Sequence, residues 1–230
     1  MSLSDQLQQL YARSAHDIKL GLDTVASLLR LLDDPHRSGA FIHVAGTNGK
    51  GSVCAMLESA LRAAGYKTGL YTSPHLVRFN ERIQINRVPI SDEALAGIFT
   101  LVDQADRRQV ASGGGRPATF FEFTTALAFE YFRRENTDVV VLETGLGGRL
   151  DATNMVTPLI SVITPVSLEH TAYLGPTLEL IAAEKAGIIK PGRPVVIAPM
   201  APQARAVLDQ AAQERASPVL HVEEAVCVRR

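Results

Sequence analysis

The stretch Val44-Ala45-Gly46-Thr47-Asn48-Gly49-Lys50-Gly51-Ser52 decides how this chain is read. It lies between an apolar run, Phe41 to Val44, and a helical pattern that begins near Ser52. Successive small residues let backbone N–H groups converge on an anion at a helix N-terminus, and Lys50 adds a positive charge to a phosphate chain. The spelling departs from the strict G-x-x-x-x-G-K-[ST] pattern, because Val44 stands where the first glycine belongs and Gly51 follows the lysine. The stretch reads as a variant nucleotide-phosphate loop. A glycine-rich turn after a strand is the plain alternative.

Working outward, Val53 to Ala64 reads as a helix ended at Gly65, and Lys67 to Tyr71 as the next strand, so the loop occupies the first turn of a strand-helix-strand unit. Helical spacing recurs upstream at Leu7, Leu10 and Tyr11, and again from Leu22 to Leu32 before Asp33-Asp34-Pro35. Downstream, Ser91 to Val110 predicts a helix with Ser91 as N-cap, Ala111 to Pro117 a flexible connection through Gly113-Gly114-Gly115, and Glu122 to Arg134 a further helix. Asp138 to Leu142, Leu159 to Thr164 and Pro194 to Ala198 are apolar, β-rich runs, and Thr177 to Ile188 and Gln203 to Ala216 carry helical patterns. The fold class is therefore α/β, a mostly parallel sheet flanked by helices on both faces. In such sheets ligands bind beyond the C-terminal ends of the strands, where the loop lies.

Composition excludes several partners. The 23 basic and 24 acidic residues leave a net charge of -1, so nothing draws the chain to nucleic acid or to an acidic membrane. No apolar run approaches the ~18 residues of a membrane span, and Met1 to Leu10 does not read as a signal peptide, so a cytoplasmic protein is expected. Cys54 and Cys227 lie far apart without metal-ligand spacing; Cys54 reads as a small helix-core residue.

Other constellations sit at the same sheet edge. The second strand exits into Thr72-Ser73-Pro74-His75 and on to Arg82 and Ile83, whose hydroxyls and guanidinium suit a nucleotide or metal, or face water in a solvated loop. Val139 to Leu142 delivers Glu143 at a strand end, where a carboxylate suits magnesium or, equally, a helix cap. His170 is a candidate cation ligand or an ordinary loop histidine. Lys185 lies in an apolar pattern: buried, its amine would be more nucleophilic, and at the surface its stem would merely cover apolar atoms.

Together, GTNGKGS at Gly46 to Ser52, YTSPHLVRFNERI at Tyr71 to Ile83, ETGLGGRLDATN at Glu143 to Asn154, the histidine of LEHTAYLG and EKAGIIKPG at Glu184 to Gly192 resemble the folylpolyglutamate and dihydrofolate synthases, the folate branch of the Mur ligase superfamily. The resemblance runs from about Ile18 onward. It implies a central domain of Mur ligase type, residues 1–230, that binds ATP and magnesium: Asn48, Gly49, Lys50, Gly51 and Ser52 hold the phosphates; Ser73, Glu143 and His170 surround the metal; Lys185 becomes a carbamate. Lys50, Lys185 and His170 are the catalytic candidates, and Thr119, Phe121 and Arg82 the substrate contacts. The implied reaction adds L-glutamate to dihydropteroate or folyl (poly)glutamates through an acyl phosphate, in a protein that is a monomer in its full-length form.

Two departures qualify the resemblance. Glu169 precedes His170 where relatives commonly carry aspartate, and the family continues into a C-terminal glutamate-ligase domain beyond the length of this chain, so the ATP-binding domain is expected to be incomplete and the chain an inactive fragment. A Mur-type cell-wall ligase and a noncatalytic nucleotide-binding module are the alternatives; a P-loop kinase is disfavoured by the variant loop.

Overall fold

Uninterrupted runs rich in β-branched side chains form the central strands β1 (Ala40–Ala45), β5 (Val139–Glu143), β6 (Ile160–Ile163) and β7 (Val195–Ile197). With β2 (Thr68–Tyr71), β3 (Ile83–Ile85), β4 (Val88–Pro89) and β8 (Val219–His221) they make one eight-stranded sheet, in the order β4-β3-β2-β5-β1-β6-β7-β8. The computed structural model describes residues 2–13, 19, 21–113 and 115–225; Ile18, Gly114 and Cys227 lie outside the described residues. From β2 to β8 the pairing is parallel, and β3 and β4 add an antiparallel edge.

Helices cover both faces, as continuous apolar parallel strands require. Successive strand residues point to opposite faces. Val44, Leu70 and Val141 pack under Cys54 of α3 (Lys50–Ala63), which confirms Cys54 as a buried core residue. Phe41, Val140 and Leu142 pack on the other face against α2 (Asp23–Arg30), α4 (Asp92–Ala111) and α5 (Phe120–Arg134), with Leu10 of α1 (Leu3–Ala12) joining them. Ala45, Ile163 and Ile197 are covered by α7 (Leu178–Ala186), which follows the short α6 (Thr171–Leu174), and α8 (Pro202–Glu214). No helix among the described residues is long and apolar enough to cross a membrane.

The expected helices and parallel strands are present, with shifted boundaries. The helix after the loop opens at Lys50, not Val53, because Gly49 takes the left-handed conformation at its N-cap (φ 81°). The helix expected from Glu122 opens at Phe120, and Glu122 becomes the third residue of a capping box with Thr119. The β3–β4 hairpin was not foreseen: Ile83 to Pro89 offers no Asn-Gly pair, yet Asn86 and Arg87 both take positive φ (50° and 67°), the pattern of a type I′ turn. Asn86 is pinned there by its side-chain oxygen, which accepts the Thr68 amide at 2.9 Å.

Candidate active site

The end of β1 delivers the loop, and the close approach of β6 shapes it. At Gly46 a Cβ would collide with the Thr164 hydroxyl, so only glycine fits. The Thr47 amide donates to the Pro165 carbonyl at 2.9 Å, and its hydroxyl exchanges hydrogen bonds with the Ser167 backbone, donating to the carbonyl and accepting the amide. Helix α3 then opens with no side-chain cap, and its first intrahelical bond runs from the Val53 amide to Gly49. The amides of Lys50, Gly51 and Ser52 are thus free of intrahelical partners and carry the positive end of the helix dipole. Asn48 instead turns its side-chain amide toward the Ser167 hydroxyl (3.2 Å).

Lys50 bridges its own loop, donating to the carbonyls of Gly46 (2.9 Å) and Thr47 (3.1 Å). Lys185, fully buried, donates to the same Gly46 carbonyl (2.8 Å) and to the Glu169 carboxylate (2.5 Å). Burial lowers the Lys185 pKa and repulsion from Lys50 adds to that, against the raising effect of Glu169. Burial alone would raise the Glu169 carboxyl, but the Lys185 hydrogen bond and charge bring it below its usual range.

Glu143 ends β5 directly beside the loop: it pairs in register with Val44, and a Cβ on Gly51 would sit 3.6 Å from its carboxylate. Its carboxyl is raised by burial, with the Ser73 amide (3.0 Å to Oε2) and the charge of Lys50 opposing. His170 stands at the left-handed N-cap of α6, exposed and on the wall of the cavity that Ser73 also lines. Among the described residues no three His, Cys, Asp or Glu side chains converge as a metal site. Glu143 and Ser73 nevertheless suit magnesium, a hard ion that takes one or two carboxylates and completes its shell with water and phosphate oxygens.

Beside the loop opens a cavity of about 370 Å³, and it gathers the expected substrate contacts Arg82, Thr119 and Phe121. Arg82 is buried, donates to His75 Nδ1 at 2.8 Å and lies 5.1 Å above the Phe120 ring. Burial lowers its pKa, and no carboxylate within ion-pair distance neutralises it among the described residues. Thr119 spends its hydroxyl on the Glu122 amide (3.3 Å) as the cap of α5. Phe120, in the segment Ala118 to Phe123 that the resemblance places at the pterin site, lines the same cavity and stacks on Tyr11 (5.7 Å, 17°), and Asp151, absent from the expected contacts, stands at the cavity wall. Asp151 lies within the motif that runs from Glu143 to Asn154, so residue order carries its signal.

Comparisons with known proteins give the family. Residues 44–225 match the Mur ligase middle domain. The chain belongs to the Mur ligase family. It is 47% identical over 184 residues to the folylpolyglutamate synthase of Lacticaseibacillus casei, covering 80% of this chain and 43% of that protein. It is 42% identical over 225 residues to the dihydrofolate synthase/folylpolyglutamate synthase of Bacillus subtilis, covering 97% and 52%. The structure of E. coli FolC in complex with DHPP and ADP superimposes with a TM-score of 0.86 at 37% identity, over 96% of this chain and 51% of that one. The chain spans about half the length of the curated relatives it matches.

Proposed function

We propose that this Mur ligase domain is the ATP-binding part of a ligase that joins L-glutamate to dihydropteroate or to a folyl (poly)glutamate. The carrying observation is the adjacency of an uncapped helix N-terminus with two lysines to an apolar, arginine-bearing cavity, with Glu143 and Ser73 between them. The amides of Lys50 to Ser52 and the Lys50 ammonium hold the ATP phosphates. Arg82 meets an anionic or carbonyl oxygen of the substrate, and the rings of Phe120 and Phe121 hold its flat heterocycle.

In the reaction, a substrate carboxylate oxygen attacks the γ-phosphorus and ADP leaves; the glutamate amine then attacks the acyl phosphate carbon and expels phosphate, leaving an amide. Neither step needs a protein nucleophile, so alignment and charge neutralisation carry the rate. Glu143, Ser73 and His170 would hold magnesium, which would supply charge stabilisation at the phosphates. Lys185 fits carbamylation: its burial favours the neutral amine, which adds to carbon dioxide with loss of a proton. That step must first break its pairing with Glu169.

The test is phosphate release from ATP with magnesium, L-glutamate and either dihydropteroate or tetrahydrofolate, run beside equilibrium binding of nucleotide and pteridine to the 230-residue chain. Release that requires both glutamate and a pteridine establishes the ligase. Binding of both ligands without release assigns this chain the binding half of the reaction, and binding of neither overturns the reading.

A further inference from the structure

His43 is an anomaly in β1: a fully buried imidazole in the run Ala40-Phe41-Ile42-His43-Val44-Ala45. An aliphatic side chain would bury there at lower cost, since a polar group withdrawn from water loses free energy unless a hydrogen bond replaces what it gave up. The replacement is Thr153, whose Oγ1 lies 2.8 Å from His43 Nε2. The Thr153 hydroxyl in turn lies 2.5 Å from Asp151 Oδ1. Both Asp151 oxygens already accept backbone amides, so the threonine proton goes to Asp151 and the threonine oxygen accepts from the histidine. This order places the imidazole proton on Nε2. Nδ1 is left bare, and it has no hydrogen-bond partner among the described residues.

Asp151 is the hub this relay reaches. Its Oδ1 also accepts the Thr153 amide (3.0 Å), and its Oδ2 accepts the amides of Gly145 (2.9 Å) and Leu146 (2.7 Å). Those four donors leave the carboxylate engaged on both oxygens, so its work is to shape the 145–151 turn. Gly145 lies so close to Phe121 that a Cβ would approach the ring to 2.5 Å, and Leu146, Asp151 and Phe121 all line the cavity. At the other end of the relay, His43 pairs in register with Leu142, the residue before Glu143, and stands one residue before Val44 at the root of the loop. The relay therefore runs from the rigid centre of the sheet to the cavity wall.

We propose that His43 is a positioning residue for the substrate cavity: its Nε2–H, through the Thr153 hydroxyl, holds Asp151 where it fastens Gly145 and Leu146 against Phe121. The ligand part of this inference rests on the proposed function, whereas the relay itself does not.

The experiment is amide hydrogen exchange by NMR on the 230-residue chain and its His43→Phe, Thr153→Val and His43→Gln variants, followed by calorimetric titration with dihydropteroate and with MgATP. Loss of one buried hydrogen bond is expected to speed exchange at Gly145 and Leu146 about tenfold in His43→Phe and Thr153→Val, and to weaken dihydropteroate binding by a similar factor. MgATP binding and exchange within α3 stay unchanged. Gln at position 43 keeps a side-chain N–H donor and restores both readouts, which simple loss of packing would not do. Thr153→Val, close in shape to the native residue, carries the test if His43→Phe does not fold. Unchanged exchange at Gly145 and Leu146, acceleration spread equally over α3, or unchanged dihydropteroate affinity in a variant with faster exchange would each overturn the proposal. A wild-type chain that binds neither dihydropteroate nor tetrahydrofolate counts against the substrate part of the proposed function alone, and the exchange rates still decide the relay.

Discussion

Gly46 to Ser52 present their binding groups from one unbroken stretch of backbone, whereas the neighbouring cavity takes Arg13, Arg82, Phe121 and Asp151 from four separated segments of chain. In the proposed reading the loop works through amides, glycine conformations and one side chain, the Lys50 ammonium, so exchange of its other side chains is tolerated where the turn stays intact. The cavity works through side chains whose positions depend on other side chains: Arg82 on His75, Thr119 on Glu122, Asp151 on Thr153 and His43. Damage to the loop should abolish chemistry without unfolding the domain. Damage to the cavity should act on one substrate and on stability together.

The largest effect is expected at the loop. Among the described residues the Lys50 ammonium bonds to carbonyls of its own turn, so Lys50→Ala should lower phosphate release about a hundred- to a thousand-fold while thermal unfolding stays near that of the parent chain. Near-normal release from the substituted enzyme would remove Lys50 from the mechanism. Next, Arg82→Met keeps an unbranched apolar stem and deletes the guanidinium that lies over Phe120, and dihydropteroate affinity should fall about ten- to a hundred-fold with nucleotide affinity unchanged. Equal weakening of both ligands in calorimetry would show that loop and cavity are one unit.

The third prediction concerns pH. Burial depresses the His43 pKa from 6.5 to about 3, so the unfolded chain takes up a proton in this window while the folded chain does not. Stability therefore falls as pH drops from 6.5 toward about 3, by about 1.4 kcal/mol per pH unit from this group. His43→Gln should flatten the slope of denaturant-measured stability against pH by that amount; parallel curves would contradict it. The smallest effect is reserved for Thr119. As a helix cap its loss in Thr119→Ala should cost about 1 kcal/mol of stability and leave dihydropteroate affinity unchanged. Weaker binding at undiminished stability would make Thr119 a substrate contact instead.

The contrast also governs what could be read from residue order. The parallel strands, α3, α4, α5, α7 and α8 were legible because apolar periodicity and caps such as Ser91 are local signals. The glycine-rich loop between β1 and α3 was legible for the same reason, and so was the delivery of Glu143 at a strand end. The β3–β4 hairpin was hidden because Asn86-Arg87 lacks the usual glycine, and a contact with Thr68 on another strand makes the turn affordable. Lys185 could be suspected of burial, but nothing in its surroundings along the chain pointed to the ion pair with Glu169 sixteen residues earlier. Nothing along the chain marks out His43 within its apolar strand, because its partner Thr153 lies 110 residues away.

Sequence alone determined the α/β class, the strand-loop-helix unit and the glycine-rich turn of Gly46 to Ser52, since each rests on backbone geometry and on neighbours a few residues apart. Only the tertiary structure decided which side chains share the cavity, that Lys50 and Lys185 converge on the Gly46 carbonyl, and that Asp151 is held from the centre of the sheet. Those outcomes depend on burial and on hydrogen bonds between segments that meet only when the sheet is assembled, and no local pattern encodes the meeting.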